Sequence, residues 1–210
     1  MTTSRVLLKG EISINALIHN DYYMRLEQAK LHGRWFYNSL NPALKELPID
    51  LNKIIDGNPN WSLYFDCLYG EEGYTLYKRK NTKKKYKICV DSYGMVQRKR
   101  FTVAHEIGHI VLGHFEEYSD ELLSDYEEFV LDKEADMVAG EILMPYDYML
   151  KYYNWSIQGL TYRFHVSKEA AKVRLDVLEN DYMFIRDINP NRTNDSLSDE
   201  IKYIVDYFYK

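Results

Sequence analysis

The chain has 210 residues, 46% apolar and 28% charged, with 20 Tyr, 8 Phe and 3 Trp. That supply of core formers excludes intrinsic disorder, and the length allows a sizeable core without disulfide or metal staples. The net charge of −5 excludes a chain that is basic throughout, as a nucleic-acid binder would be.

No run approaches the roughly 18 apolar residues of a membrane span. Residues 1–10 lack the apolar stretch of a secretion signal. Cys67 and Cys89 are the two cysteines, too few for a disulfide framework or a cysteine zinc site. These features predict a cytoplasmic protein.

Residues 1–40 read as helical, with Leu17, Met24, Leu31 and Phe36 at loosely helical spacing and no Pro between them. Asn41-Pro42 restarts the chain, with Asn as cap and Pro in the first turn. A short helix through Ile49, Leu51, Ile54 and Ile55 follows and stops near Gly57. Three short strands are predicted at 61–69, 74–78 and 86–90, with turns at 70–73 and 80–84. The last two carry a basic run, Lys78, Arg79, Lys80, Lys83, Lys84, Lys85 and Lys87, which reads as a solvated hairpin tip rather than as a docking patch.

Helical periodicity returns from about Gln97 to Phe115 and again from Leu122 to Met144, ending before Pro145. The link between these helices is acidic and reads as a solvated face. Residues 157–178 have a helix-turn-helix outline turning at Val166-Ser167. Residues 196–209 form a last amphipathic candidate.

The chemistry lies in His105-Glu106-Ile107-Gly108-His109. Residues four apart on a helix differ by about 40° around its axis, so both imidazoles point one way and can bind one zinc ion. Glu106 borders that face, within reach of a metal-bound water. A hydrolytic zinc site needs a third protein ligand and an open position. A third His six residues beyond the second would fall at 115, which is Phe; His114 is one residue short, a rotation of about 100°, and is no ligand in this reading. The alternative is a carboxylate on the following helix. Glu134 is favoured only slightly over Glu127, Glu128 and Glu141, because small Ala135, Ala139 and Gly140 allow close packing there. Asp136 could take a hydrogen bond from a ligand imidazole and fix its tautomer. The donor for the developing oxyanion is not identified; Tyr93, His114, Tyr146 and Tyr148 are candidates.

Four blocks resemble the ImmA/IrrE family of metallo-endopeptidases: residues 47–51, 98–109, 134–145 (Glu134-Ala135-Asp136 through Met144-Pro145) and 163–175. Two positions depart from the family's habit, Val138 where Phe is common and Asp136 where Asn is common. The resemblance implies an α+β fold: a zincin-like metallopeptidase domain with a small sheet beside the metal helix, then a mostly helical C-terminal part. The expected division is an N-terminal helical segment 1–40, the metallopeptidase domain 41–150 and a helical region 151–210. It implies Zn2+ held by His105, His109 and Glu134, with Glu106 as general base. It also implies a helix-turn-helix transcriptional repressor of the XRE type as substrate, in phage, mobile-element or stress regulation. The alternative is an antirepressor or toxin–antitoxin partner that grips such a regulator with little turnover. Direct DNA binding is not expected, since Arg163, Lys168, Lys172 and Arg174 are offset by Glu169, Asp176 and Glu179.

Overall fold

The computed structural model describes residues 9–118 and 122–188, with side chains of the first helix given from Asp21 onward. The candidate helix 196–209 lies outside the described residues. The fold is α+β, with nine helices and one three-stranded sheet among the described residues.

Helix α1 (Lys9–Ser39) is unbroken, as the absence of Pro allows. Asn41 then caps a single 3-10 turn, Pro42–Leu44, its Oδ1 accepting from the Ala43 N–H. Helix α2 (Leu51–Asp56) starts at Asp50, whose carboxylate accepts from the N–H groups of Asn52 and Lys53.

The sheet holds β1 (Trp61–Asp66), β2 (Gly73–Lys80) and β3 (Lys83–Asp91) in the order β1-β3-β2. The β1–β3 pair is parallel and the β2–β3 pair antiparallel. Tyr86, Ile88 and Val90 point from β3 into the core. The lysines of the hairpin tip are exposed, in line with the expectation of a solvated tip; Lys84 pairs with Glu116 at 2.7 Å.

Helix α3 (Val96–Leu112) carries the two histidines. It ends sooner than its apolar pattern suggests, because Gly113 takes a left-handed φ of 79° and its N–H closes on the carbonyls of His109 and Ile110. A four-residue helix α4 (His114–Glu117) follows. This break decides where His114 goes. Helix α5 (Asp125–Leu143) begins with a capping box between Ser124 and Glu127. Part of the acidic stretch is therefore a helix start and not only a solvated face.

Helices α6 (Tyr146–Tyr152), α7 (Ile157–Phe164), α8 (Lys168–Glu179) and α9 (Tyr182–Ile188) complete the described chain. His165, with a φ of 55°, turns the chain between α7 and α8, and Ser156 and Ser167 cap the two helices. None of the described helices is long and apolar enough to cross a membrane.

Helix α5 is the hub, packing against both α3 and α1. Gly108 lets α3 approach its backbone: a Cβ there would stand 2.7 Å from the Ala135 carbonyl oxygen. Gly33 does the same for α1, where a Cβ would meet Glu141 Cβ at 2.9 Å. The shared core contains Ile107, Val138, Ala139 and Ile142. A buried ion-pair network ties the long helix and the C-terminal helices to this hub. Glu141 Oε1 accepts from Arg34 Nε at 3.0 Å and from Arg174 Nη1 at 3.0 Å. Asp181 accepts from Lys30 at 3.2 Å and also from Arg34. Removing one partner would leave a buried charge alone, at a cost of about 3–5 kcal/mol.

Candidate metal centre

Helix α3 presents His105 and His109 on one side, toward α5. Their Nε2 atoms lie 3.1 Å apart. His105 Nδ1 is 2.9 Å from Asp136 Oδ1, and a carboxylate can only accept, so His105 carries its proton on Nδ1. Lys133 Nζ holds the other Asp136 oxygen at 2.8 Å. His109 Nδ1 is 2.8 Å from His114 Nδ1, and His114 Nε2 is 3.3 Å from Glu134 Oε2. The same logic runs outward: Glu134 accepts from His114 Nε2–H, so His114 Nδ1 accepts from His109 Nδ1–H. Both Nε2 atoms are then bare lone pairs aimed at nearly the same point. A shared proton or a metal ion between them would satisfy such a pair.

Asp132 completes the arrangement. Its Oδ1 is 3.5 Å from His109 Nε2 and 3.9 Å from His105 Nε2. Bonds of 2.0–2.1 Å in a tetrahedron place ligand atoms about 3.3 Å apart, so these three donors fit three corners around one ion. Among the described residues, His105, His109 and Asp132 form the group whose donor atoms converge.

Glu134 does not join His105 and His109 in that group. Arg25 of α1 donates to both its oxygens, Nε to Oε1 at 2.7 Å and Nη2 to Oε2 at 2.8 Å. Burial alone would raise the Glu134 carboxyl, but the bonds from His114 and Arg25 outweigh it and hold the group below its usual pKa. The geometry of a helix explains the placement. Asp132 and Asp136 are four residues apart and share the stripe facing α3, whereas Glu134 stands about 200° round from Asp132. The sequence does carry a signal for Asp132 as a converging group: two pairs at i,i+4 spacing, one of histidines and one of aspartates, on helices with small residues between. Arg25 gave no signal, because its partner lies 109 positions away.

Glu106 is buried and its Oε2 accepts from Thr75 Oγ1 of β2 at 2.8 Å. The edge strand thus holds one oxygen of this α3 carboxylate. Of the oxyanion-donor candidates, Tyr93 is exposed, Tyr146 donates to Asp187 at 2.9 Å beneath Arg34, and Tyr148 donates to the Lys45 carbonyl at 3.4 Å. His114 alone of the four lines a cavity of about 470 Å³ with His109 and Asp132. Tyr77 lines the same cavity and its buried hydroxyl has no hydrogen-bond partner. A larger cavity of about 820 Å³ opens on the other side, between α3, α5 and α8, lined by Phe101, Asp136, Met137, Met144, Ala170 and Val173.

Burial lowers the His109 pKa, and it opposes a rise at His105 that the Asp136 bond and the nearby carboxylates nevertheless produce. The imidazoles beside it, His109 first and then His105, hold Asp132 below its usual value.

Among curated proteins none matches the chain significantly. Among solved structures, a Mycobacterium tuberculosis transcriptional regulator is similar, with a TM-score of 0.55 at 18% identity over 78% of this chain. The chain spans about half of that regulator, 52% of its length, and at this identity the likeness speaks for the fold alone. The family model described as the IrrE N-terminal-like domain, a peptidase family, matches residues 70–176. That segment is just over half the chain and holds the sheet hairpin, both histidines, Glu106 and the facing face of α5. The chain therefore belongs to the ImmA/IrrE family of metallopeptidases.

Proposed function

We propose that the protein is a zinc-dependent endopeptidase that cuts a helix-turn-helix transcriptional repressor and so relieves repression. The observation that carries the metal-dependent part is the convergence of two imidazole Nε2 atoms, 3.1 Å apart, with Asp132 Oδ1 beside them. His105, His109 and Asp132 would hold the ion. This replaces Glu134 by Asp132 as the third ligand of the proposal, because the Glu134 carboxylate is already taken by Arg25 and His114. Three protein donors leave a position open, the pattern of a catalytic rather than a structural site.

When bound, zinc supplies an acidified water and polarises the scissile carbonyl. The remaining work belongs to this chain. Thr75 fixes one oxygen of Glu106, which leaves the other free to take a proton from the attacking water and return it to the leaving amine. Asp136 and His114 hold the two ligand rings in one tautomer, so no reorientation is needed during turnover. Family membership supports the peptidase chemistry. The repressor as substrate rests on the resemblance.

The test uses the helix-turn-helix regulator encoded beside this protein. It is incubated with zinc-loaded wild type and with Glu106→Gln, and the products are read by mass spectrometry. One discrete cut that Glu106→Gln abolishes is the expected result. A tight complex with zinc bound and no cut would instead support an antirepressor that binds without turnover.

A further inference from the structure

We propose that Arg25 is a positioning residue of the metal centre. It fixes Glu134, Glu134 fixes His114, and His114 fixes the ring of His109 so that its Nε2 faces the ion. The proposal rests on the metal-binding role given above to His105, His109 and Asp132.

Every link in this chain has donor and acceptor matched. Arg25 gives two N–H groups to the two oxygens of Glu134, the parallel fork that makes guanidinium–carboxylate pairs directional. Glu134 then has one oxygen placed for His114 Nε2–H, and the His114 ring turns its Nδ1 lone pair on His109 Nδ1–H. The side chains of Glu134, His114 and His109 are 9%, 8% and 14% exposed, so water competes little for these bonds. Among the described residues, no other cation reaches Glu134. Without Arg25 this buried carboxylate would lose its main source of charge compensation and its orientation.

The far end of the chain is rigid. Arg25, Ala29 and Gly33 stand four residues apart on one stripe of α1. Ala29 is buried, and Gly33 lets the two backbones approach closely. Arg34 then locks α1 to Glu141. The register of α1 against α5 is therefore set, and Arg25 is held opposite Glu134.

The two ligand imidazoles are supported alike. His105 is held by a carboxylate that a cation secures, through Asp136 and Lys133 on α5 itself. His109 is held by the same kind of pair reached through one more ring, with the cation supplied by α1. Arg25 lies outside residues 70–176, so the segment that matches the family does not contain this part of the centre. The N-terminal helix supplies it.

The experiment measures zinc affinity of the full chain by competition with a chromophoric chelator, together with the visible spectrum of the cobalt-substituted protein. Wild type is compared with Arg25→Met, Arg25→Lys, Glu134→Gln and the double variant Arg25→Met/Glu134→Gln, each checked for folding by circular dichroism. Loss of a residue that supports a metal ligand costs 10–100-fold in metal affinity, and that is expected for Arg25→Met, with a shifted cobalt spectrum. The double variant should lose no more than the worse single one, because both break one chain. Arg25→Lys should recover part of the loss, since a point charge cannot form the fork. If Arg25→Met does not fold, a folded Glu134→Gln with weakened binding tests the same chain from its other side.

Unchanged affinity and spectrum in folded Arg25→Met would overturn the proposal and leave an ordinary surface ion pair. Tighter binding would also overturn it, because Arg25 would then be competing with the ion for Glu134. A wild type that binds no zinc would fail one step earlier, at the metal site itself.

Discussion

Gly108 sits inside the metal-binding motif, and Gly108→Ala separates tertiary packing from helix propensity because the two act in opposite directions. An Ala in the middle of a helix is worth about 1 kcal/mol more than Gly. Propensity alone would therefore raise Tm by about 2–4 °C for a domain of this size. The new Cβ would stand 2.7 Å from the Ala135 carbonyl oxygen and 3.0 Å from Ala135 Cα, where ordinary contact starts at 3.4 Å. These obstacles are backbone, so no rotamer change relieves them and α3 must move off α5. Overpacking of this kind costs about 1–3 kcal/mol, and the upper part of that range applies when both sides are backbone. The net effect is a loss of about 1–2 kcal/mol, or a fall in Tm of about 2–8 °C. The ligand imidazoles ride on α3 and Asp132 and Asp136 on α5, so zinc affinity falls as well. Thermal unfolding of chelator-treated protein reads the first effect, and chelator competition the second. A Tm at or above that of wild type with unchanged zinc affinity would refute the reasoning, since it would mean that the helices do not meet at Gly108.

Gly140→Ala in α5 is the contrasting case: its Cβ would meet Arg174 Cδ at a comfortable 3.7 Å, so the variant should gain about 0.5–1 kcal/mol by thermal unfolding. Asp132→Asn should weaken zinc binding more than Glu134→Gln does; the reverse order in chelator competition would return the third-ligand role to Glu134. A chelator should lower the Tm of wild type purified with zinc, since an ion held at 100 times its Kd stabilises by about 2.7 kcal/mol, and should leave that of His105→Ala unmoved. Asp181 is buried, which by itself would raise its pKa, but Lys30 and Arg34 outweigh burial and bring it from 3.8 to about 2. A carboxylate with a lower pKa folded than unfolded stabilises the fold above the unfolded value and loses that contribution as pH falls through the folded one. Acid unfolding should therefore show about 2 kcal/mol draining away between roughly pH 4 and 2, and an urea-melt series in which Asp181→Asn kept that slope would contradict this.

Much of the local structure was legible in the chain. Helix α1, the three strands, the two helices of the metal unit and the turn at Val166-Ser167 follow from periodicity and from capping residues whose partners lie within four positions. Helix α3 ends three residues before the expected Phe115, because Gly113 is a stop signal that the apolar run around it masks. The acidic link was read by its charge, while Ser124 and Glu127 use it to start a helix.

His105, Glu106 and His109 could be named from sequence because a helix relates residues i and i+4 by its own geometry, without help from the rest of the fold. The third donor proposed for the site, Asp132, could not be reached that way. The choice among acidic residues on α5 depends on how that helix is rotated against α3, and the rotation is decided by where backbones can touch, at Gly108 against Ala135. That contact turns Asp132 and Asp136 toward the histidines and Glu134 toward Arg25. The partnership of Arg25 with Glu134, and the buried set of Lys30, Arg34, Glu141, Arg174 and Asp181, join residues more than 100 positions apart in most cases. Their side chains carry no periodicity that announces a partner; only the docking of α1 onto α5 brings these charges within reach of one another, and there low dielectric and shared hydrogen bonds make the pairing decisive.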